Sequence, residues 1–159
     1  MLKIRLMTDE DMQTVEAWLG KEYVKKWFEI PGVCSIEEWI SEIRGRHDEF
    51  KFITHFIALW EERPIGFCQY YKCSDIDEDW NVNMPLTGVY SIDYLIGEEE
   101  FLGKGIGKSM IALLAKEVFS LSDAKRIIAR PDESNESSNK ALLSAGFKFD
   151  EGNNVYIME

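Results

Sequence analysis

Between a stretch that alternates apolar and polar residues, Val89 to Ile96, and a helical one, Ile106 to Phe119, the chain places Gly103, Gly105 and Gly107. This junction constrains the fold more than any other segment: a strand must run into a glycine turn, and the turn must open a helix. Backbone without a Cβ approaches a ligand closely, and the first N–H groups of a helix are unpaired and favour an anion. The segment therefore reads as a cradle for phosphates, with a plain tight turn as the competing reading. Two generic nucleotide motifs fail on spacing. A P-loop needs four residues between its first glycine and Gly-Lys-Ser/Thr, whereas only Lys104, Gly105 and Ile106 separate Gly103 from Gly107. The third glycine of a dinucleotide fingerprint falls on Lys108.

The remaining pattern predicts one domain over residues 1–159. Leu2 to Met7 alternates as a strand, and Thr8 with Asp11 resembles a capping box opening a helix to about Leu19. Tyr23 to Phe28 is a short helical, aromatic piece broken by Pro31-Gly32. Ser35 with Glu38 caps a further helix through Ile43. Strands follow over Phe50–Trp60 and from Pro64-Ile65-Gly66 to about Tyr71, then a polar loop over 72–87 and the strand Val89–Ile96. After the helix Ile106–Phe119 come a strand Lys125–Ala129, a helix Asn135–Ala145 stopped by Gly146, and a hairpin of Phe147–Phe149 with Val155–Met158. The expected class is α+β, a mixed central sheet flanked by helices in the order βααβββαβαββ.

Charge narrows the partners. Twenty-nine acidic residues against 18 basic ones give a net charge of −11, which argues against nucleic acid and anionic membranes and favours a cationic substrate. A phosphate-bearing ligand needs a locally basic site, which Lys104, Lys108 and Lys140 are placed to supply. Aromatic residues make up 13% of the chain, an ample supply for pocket walls. Cys34, Cys68 and Cys73 lack metal-like spacing and read as reduced thiols; with no signal-like apolar run near Met1, the expected compartment is the cytoplasm. His47 and His55 suggest no metal site.

Leu102-Gly-Lys-Gly-Ile-Gly107, Tyr90-Ser-Ile-Asp-Tyr-Leu-Ile-Gly97, Ser134-Asn135 through Ala145-Gly146-Phe147, and Pro64-Ile65-Gly66 together carry a resemblance. The chain resembles the GNAT N-acetyltransferases, most closely those that modify the 6'-amino group of aminoglycosides. The likeness runs from Ile4-Arg5-Leu6-Met7-Thr8 to Tyr156-Ile157-Met158. Leu102 stands where the superfamily usually has Arg or Gln, as it does in some members of this subgroup. The element order is also that of the GNAT fold. The resemblance implies acetyl-coenzyme A as the cosubstrate, held by Leu102, Gly103, Lys104, Gly105, Ile106, Gly107 and Lys108. The main chain at Leu95 and Ile96 would pair with the pantetheine arm, and Asn135, a plain N-cap from the residues alone, would also bond the coenzyme.

Acyl transfer to an amine requires a positioned thioester, a base for the ammonium proton and a stabilised oxyanion. Asp93, a carboxylate inside an apolar strand, is the candidate base; the alternative is an outward-facing Asp on the polar side of the strand. The resemblance assigns the same position an acid/base or substrate-amine role. Trp27 and Phe28 fall where the family has pocket aromatics, or are core. Asp75-Ile-Asp77-Glu78-Asp79-Trp80 suits a polycation through charge and ring stacking, or is a solvated acidic loop. The substrate residues expected are thus Trp27, Asp77, Glu78, Asp79, Trp80 and Asp93.

One departure matters. Many relatives carry Tyr at the position of Leu142 to protonate the departing thiolate, and Leu cannot. Water, the substrate's own proton, or a tyrosine from elsewhere (Tyr94, Tyr90) replaces it, or the chain binds acyl-coenzyme A without turnover. The expected partner is a small-molecule amine substrate and the expected assembly a monomer or homodimer; a polyamine, a peptide or protein amine, or a siderophore precursor stays open as the acceptor.

Overall fold

The computed structural model describes residues 1–76 and 80–159. Seven strands form one sheet: β1 (Leu2–Leu6), β2 (Ile53–Trp60), β3 (Arg63–Lys72), β4 (Val89–Ile96), β5 (Arg126–Ala129), β6 (Lys148–Asp150) and β7 (Val155–Met158). Their order across the sheet is β1-β2-β3-β4-β5-β7-β6, antiparallel throughout except where β4 meets β5. The helices are α1 (Met12–Leu19), α2 (Glu22–Phe28), α3 (Ile36–Arg44), α4 (Ile106–Phe119) and α5 (Glu136–Ser144). No described helix is long and apolar enough to cross a membrane.

The α+β architecture matches the expectation, with two local differences. The aromatic piece after Gly20 is a helix in its own right, so three helices precede β2. Strand β2 begins at Ile53 rather than Phe50, because Gly45 is followed by a run of turns in which the Phe50 N–H donates to the Gly45 carbonyl. Both capping signatures form: Thr8 N–H donates to Asp11 Oδ2 at 2.8 Å, and Ser35 Oγ accepts from Glu38 N at 3.2 Å. Asp11 also takes two parallel bonds from the Arg5 guanidinium, at 2.7 and 2.9 Å, and this pairing holds its carboxyl down at about 2.

Two apolar clusters lie on opposite faces of the sheet. Met110, Ile111, Leu114 and Val118 of α4 pack on one face with Tyr90, Ile92 and Leu142. Val15, Trp18 and Leu19 of α1, with Ile43 of α3, pack on the other with Phe67 and Leu95. Strand β4 feeds both clusters because successive side chains point to opposite faces. Gly97, immediately after β4, lies flat against the Trp18 ring: a Cβ there would sit 2.1 Å from a ring atom. Gly66 in β3 is pinched likewise between the Leu95 carbonyl and Met110, at 2.6 and 2.7 Å from a would-be Cβ. Both glycines therefore set how closely α1 and α4 approach the sheet.

Candidate active site

The site is built on the opening between β4 and β5. The two strands pair in parallel for three residues only, Val89 to Ser91 against Arg126 to Ile128. Beyond Ser91 no described strand pairs β4 on this edge. On its other edge β4 stays paired with β3 through Ile96. The Gly97 N–H donates to the Ile65 carbonyl in β3, and alternation along the strand then turns the N–H groups of Leu95 and Asp93 the same way. Those of Tyr94 and Ile96 turn to the open edge. Tyr23 of α2 and Lys21 fasten the end of this edge, donating to the carbonyls of Ile96 and Gly97 at 2.9 and 2.7 Å.

A cavity of about 700 Å³ occupies the opening. Ile92, Asp93 and Tyr94 of β4 form its floor. Lys26, Trp27 and Phe28 at the end of α2, with Trp39 of α3, form one wall. The opposite wall is Ala129 and the loop Arg130 to Glu133, continued by Asn135, Ser138 and Asn139 of α5 and by Tyr156. Four carboxylates, Glu29, Asp93, Asp132 and Glu133, line it against two cations, Lys26 and Arg130. The Phe28 and Trp39 rings meet at 4.9 Å with their planes tilted by 58°, and Trp39 Nε1 donates to the Phe28 carbonyl, which locks this corner. Asp93 faces the α1–α3 side, where Gln69 Nε2, directly across on β3 and itself 2% exposed, donates to Asp93 Oδ2 at 2.9 Å.

Tyr94, next along, faces the α4–α5 side. Its hydroxyl bonds the Ser138 hydroxyl of α5, and burial pushes its phenol up to about 12. Tyr156 on the same side donates to Asn139 Oδ1 at 2.5 Å.

The glycine loop stands outside this cavity, at the start of α4. Gly103 and Gly105 have φ of +72° and +76°, with nothing within 4 Å of a Cβ position. L-residues resist that conformation, so these two positions require glycine for conformation rather than space. Lys104 and Lys108 are exposed, and α4 presents its first N–H groups beside them. The loop thus has the open approach and local charge that a pyrophosphate needs. Ile106 is buried in the α4 core, so only its main chain is available to a ligand. At Gly107 a Cβ would meet Ala141 of α5 at 3.7 Å, an ordinary contact, so space does not require glycine there. Leu102 is exposed at the end of the short turn Glu99–Phe101.

The sequence reading meets this geometry unevenly. Trp27, Asp93 and Asn135 come together in one cavity. Leu95 does not join them: its N–H belongs to the β3 side and its side chain to the α1–α3 core. The N–H groups turned to the open edge are instead those of Tyr94 and Ile96. Trp80 departs too; its ring packs near Tyr71 and its Nε1 donates to the Cys73 carbonyl, away from the cavity. Asp77, Glu78 and Asp79 lie outside the described residues. Asn135 caps α5, accepting from Ser138 N at 3.2 Å. Leu142 is fully buried beneath α5. Gln69 and Ser138 went unnoticed in the sequence. A lone Gln in the apolar run Phe67-Cys-Gln-Tyr70 carries the same signal that singled out Asp93, whereas nothing local marks Ser138.

Comparison with known proteins settles the class. Residues 7–154 match the family model described as an acetyltransferase (GNAT) domain. The chain belongs to the GNAT acetyltransferases. This acetyltransferase is 25% identical over 150 residues to aminoglycoside N(6')-acetyltransferase type 1 of Klebsiella pneumoniae, spanning 91% of this chain and 73% of that protein. Its fold resembles the crystal structure of aminoglycoside acetyltransferase AAC(6')-Ib in complex with coenzyme A. The TM-score is 0.84 at 23% identity, over 99% of this chain and 94% of that one. The aminoglycoside N(6')-acetyltransferase of Legionella pneumophila superposes with a TM-score of 0.72 at 21% identity, over 99% and 90% of the two chains.

Proposed function

We propose that this GNAT enzyme transfers the acetyl group of acetyl-coenzyme A to a primary amine of a cationic small molecule of the aminoglycoside type. The carrying observation is Asp93, a carboxylate oriented by Gln69 on the floor of an aromatic-walled cavity at the β4–β5 opening. In this reading the glycine loop and the first turn of α4 hold the pyrophosphate, while Lys104 and Lys108 add charge. The pantetheine arm lies along the open edge of β4, where the Tyr94 and Ile96 N–H groups meet it as a neighbouring strand would. An N–H on that edge polarises the thioester carbonyl. The amine enters from the α2–α3 side between Trp27 and Trp39, and Asp93 receives its proton before or during attack. The excess of acid over base in the cavity suits a cation, and so does the similarity to the Klebsiella pneumoniae aminoglycoside enzyme.

A second acceptor class has one observation in its favour. Lys26 and Arg130 line the same cavity, which suits an amine carrying a carboxylate nearby, as a peptide does. Thiol release from acetyl-coenzyme A decides between them when assayed with kanamycin, spermidine and lysine peptides beside the Asp93→Asn variant. Turnover with kanamycin that the variant loses is the expected result. Turnover with peptides alone replaces the acceptor, and a fully active variant removes Asp93 as the base.

A further inference from the structure

We propose that Tyr94 gives its hydroxyl proton to the thiolate that leaves when the acetyl group is transferred, a role that Leu142 has no group to fill. The inference rests on the acetyltransferase reading with Asp93 as base, and deepens it.

The argument begins with the alternation of β4. Asp93 and Tyr94 are consecutive, so their side chains stand on opposite faces of the sheet at the edge where β5 has diverged. Both line the cavity. A thioester threaded through that opening would have a carboxylate on the side where the amine arrives and a phenol on the other side. The reaction needs this division. The amine lone pair adds to the carbonyl carbon, the C–S bond then breaks with its electron pair on sulfur, and the sulfur takes the Tyr94 proton. The surplus proton of the amine goes to Asp93, and the phenolate regains a proton from water by way of Ser138.

The other tyrosines of this face are placed elsewhere: Tyr70 packs against the Tyr90 ring and does not line the cavity. Tyr90 donates to Asp123 Oδ1 at 2.8 Å, at the far end of the strand beside Lys72. Tyr156 donates to the Asn139 amide oxygen. Of Tyr90, Tyr94 and Tyr156, Tyr94 alone is bonded to a hydroxyl, and the Ser138 hydroxyl both donates and accepts, so it can return a proton. Ser138 lies one turn before Leu142 on α5, so the phenol reaches this helix from the strand rather than growing from it. Burial keeps the phenol protonated across the neutral range, as a donor must be.

The test compares Tyr94→Phe with the wild type in two readouts. The first is steady-state thiol release from acetyl-coenzyme A with kanamycin as acceptor. The second needs no acceptor: the pH at which the thiol of bound coenzyme A ionises, followed by thiolate absorbance. The expected result is a kcat about a hundredfold lower with KM for acetyl-coenzyme A nearly unchanged. The bound thiol should ionise at higher pH in the variant, because a donor to the thiolate has been lost. Ser138→Ala, which keeps the phenol, should lose less than about tenfold. Retained kcat in Tyr94→Phe, or an unmoved thiol ionisation, overturns the proposal. If kanamycin is not turned over by the wild type, the aminoglycoside reading alone falls and the thiol titration decides the matter. Failure of the wild type to bind coenzyme A removes both.

Discussion

The two halves of the site are assembled in opposite ways. The glycine loop is one unbroken segment, Gly103 to Lys108, whose shape follows from two positive φ angles and a helix start. The cavity draws on α2, α3, β4, the loop after β5, α5 and β7, from Lys26 to Tyr156. A ligand common to many enzymes can be met by local backbone, which tolerates change around it. A particular amine must be met by side chains that only the tertiary fold brings together.

Substitutions that separate the two halves test this contrast. Asp93→Asn should lower kcat by about a hundred- to ten-thousandfold while leaving coenzyme A affinity, measured by calorimetry, unchanged. Weaker coenzyme binding in that variant would merge the halves. Gly105→Ala forces an L-residue into the left-handed region at a cost of about 1–2 kcal/mol, so the Kd for acetyl-coenzyme A should rise about tenfold with the acceptor KM unchanged. Trp27→Ala should do the reverse, raising the acceptor KM about fivefold through loss of ring contact with a cation, as initial-rate kinetics would report.

The smallest expected effect on activity belongs to His55, remote from both halves. Burial pushes its imidazole down to about 4, and its Nε2 has no hydrogen-bond partner among the described residues. The unfolded chain takes up that proton below its ordinary 6.5 and the folded one does not, so stability falls as pH drops from 6.5 to 4. Thermal melting should show Tm declining across that window in the wild type and a flatter profile in His55→Phe, with kcat at neutral pH unchanged.

Legibility in the sequence divided along the same line. The glycine segment and the odd carboxylate at Asp93 were readable because each is a local violation of composition: too many glycines, or a charge in an apolar strand. Gln69 carries the same local signal, but its partner appears only in the β3–β4 pairing, and Ser138 acquires meaning only through its contact between α5 and β4. Trp80 read as a substrate ring because acids precede it, yet Tyr71 and the Cys73 carbonyl hold its side chain. Leu95 read as an edge residue by resemblance, but parity of the β3 pairing sends its N–H inward. The helix α2 reads as helical over Tyr23–Phe28 but not as a separate element, because Gly20 and Pro31 leave it only two turns.

The register of β4 has a consequence for how such a protein diversifies. Seven consecutive pairs tie β4 to β3, from Gly66 opposite Ile96 to Lys72 opposite Tyr90, with Gln69 opposite Asp93 at their centre. An insertion or deletion in the connection between these strands cannot be absorbed by sliding β4 a single step, because that would exchange the faces of Asp93 and Tyr94 and turn both cores inside out. Length changes must stay in the connection itself. Descendants of this chain are therefore free to lengthen or shorten that one connection, while the opposite faces given to Asp93 and Tyr94 ride on a strand that inheritance cannot easily shift.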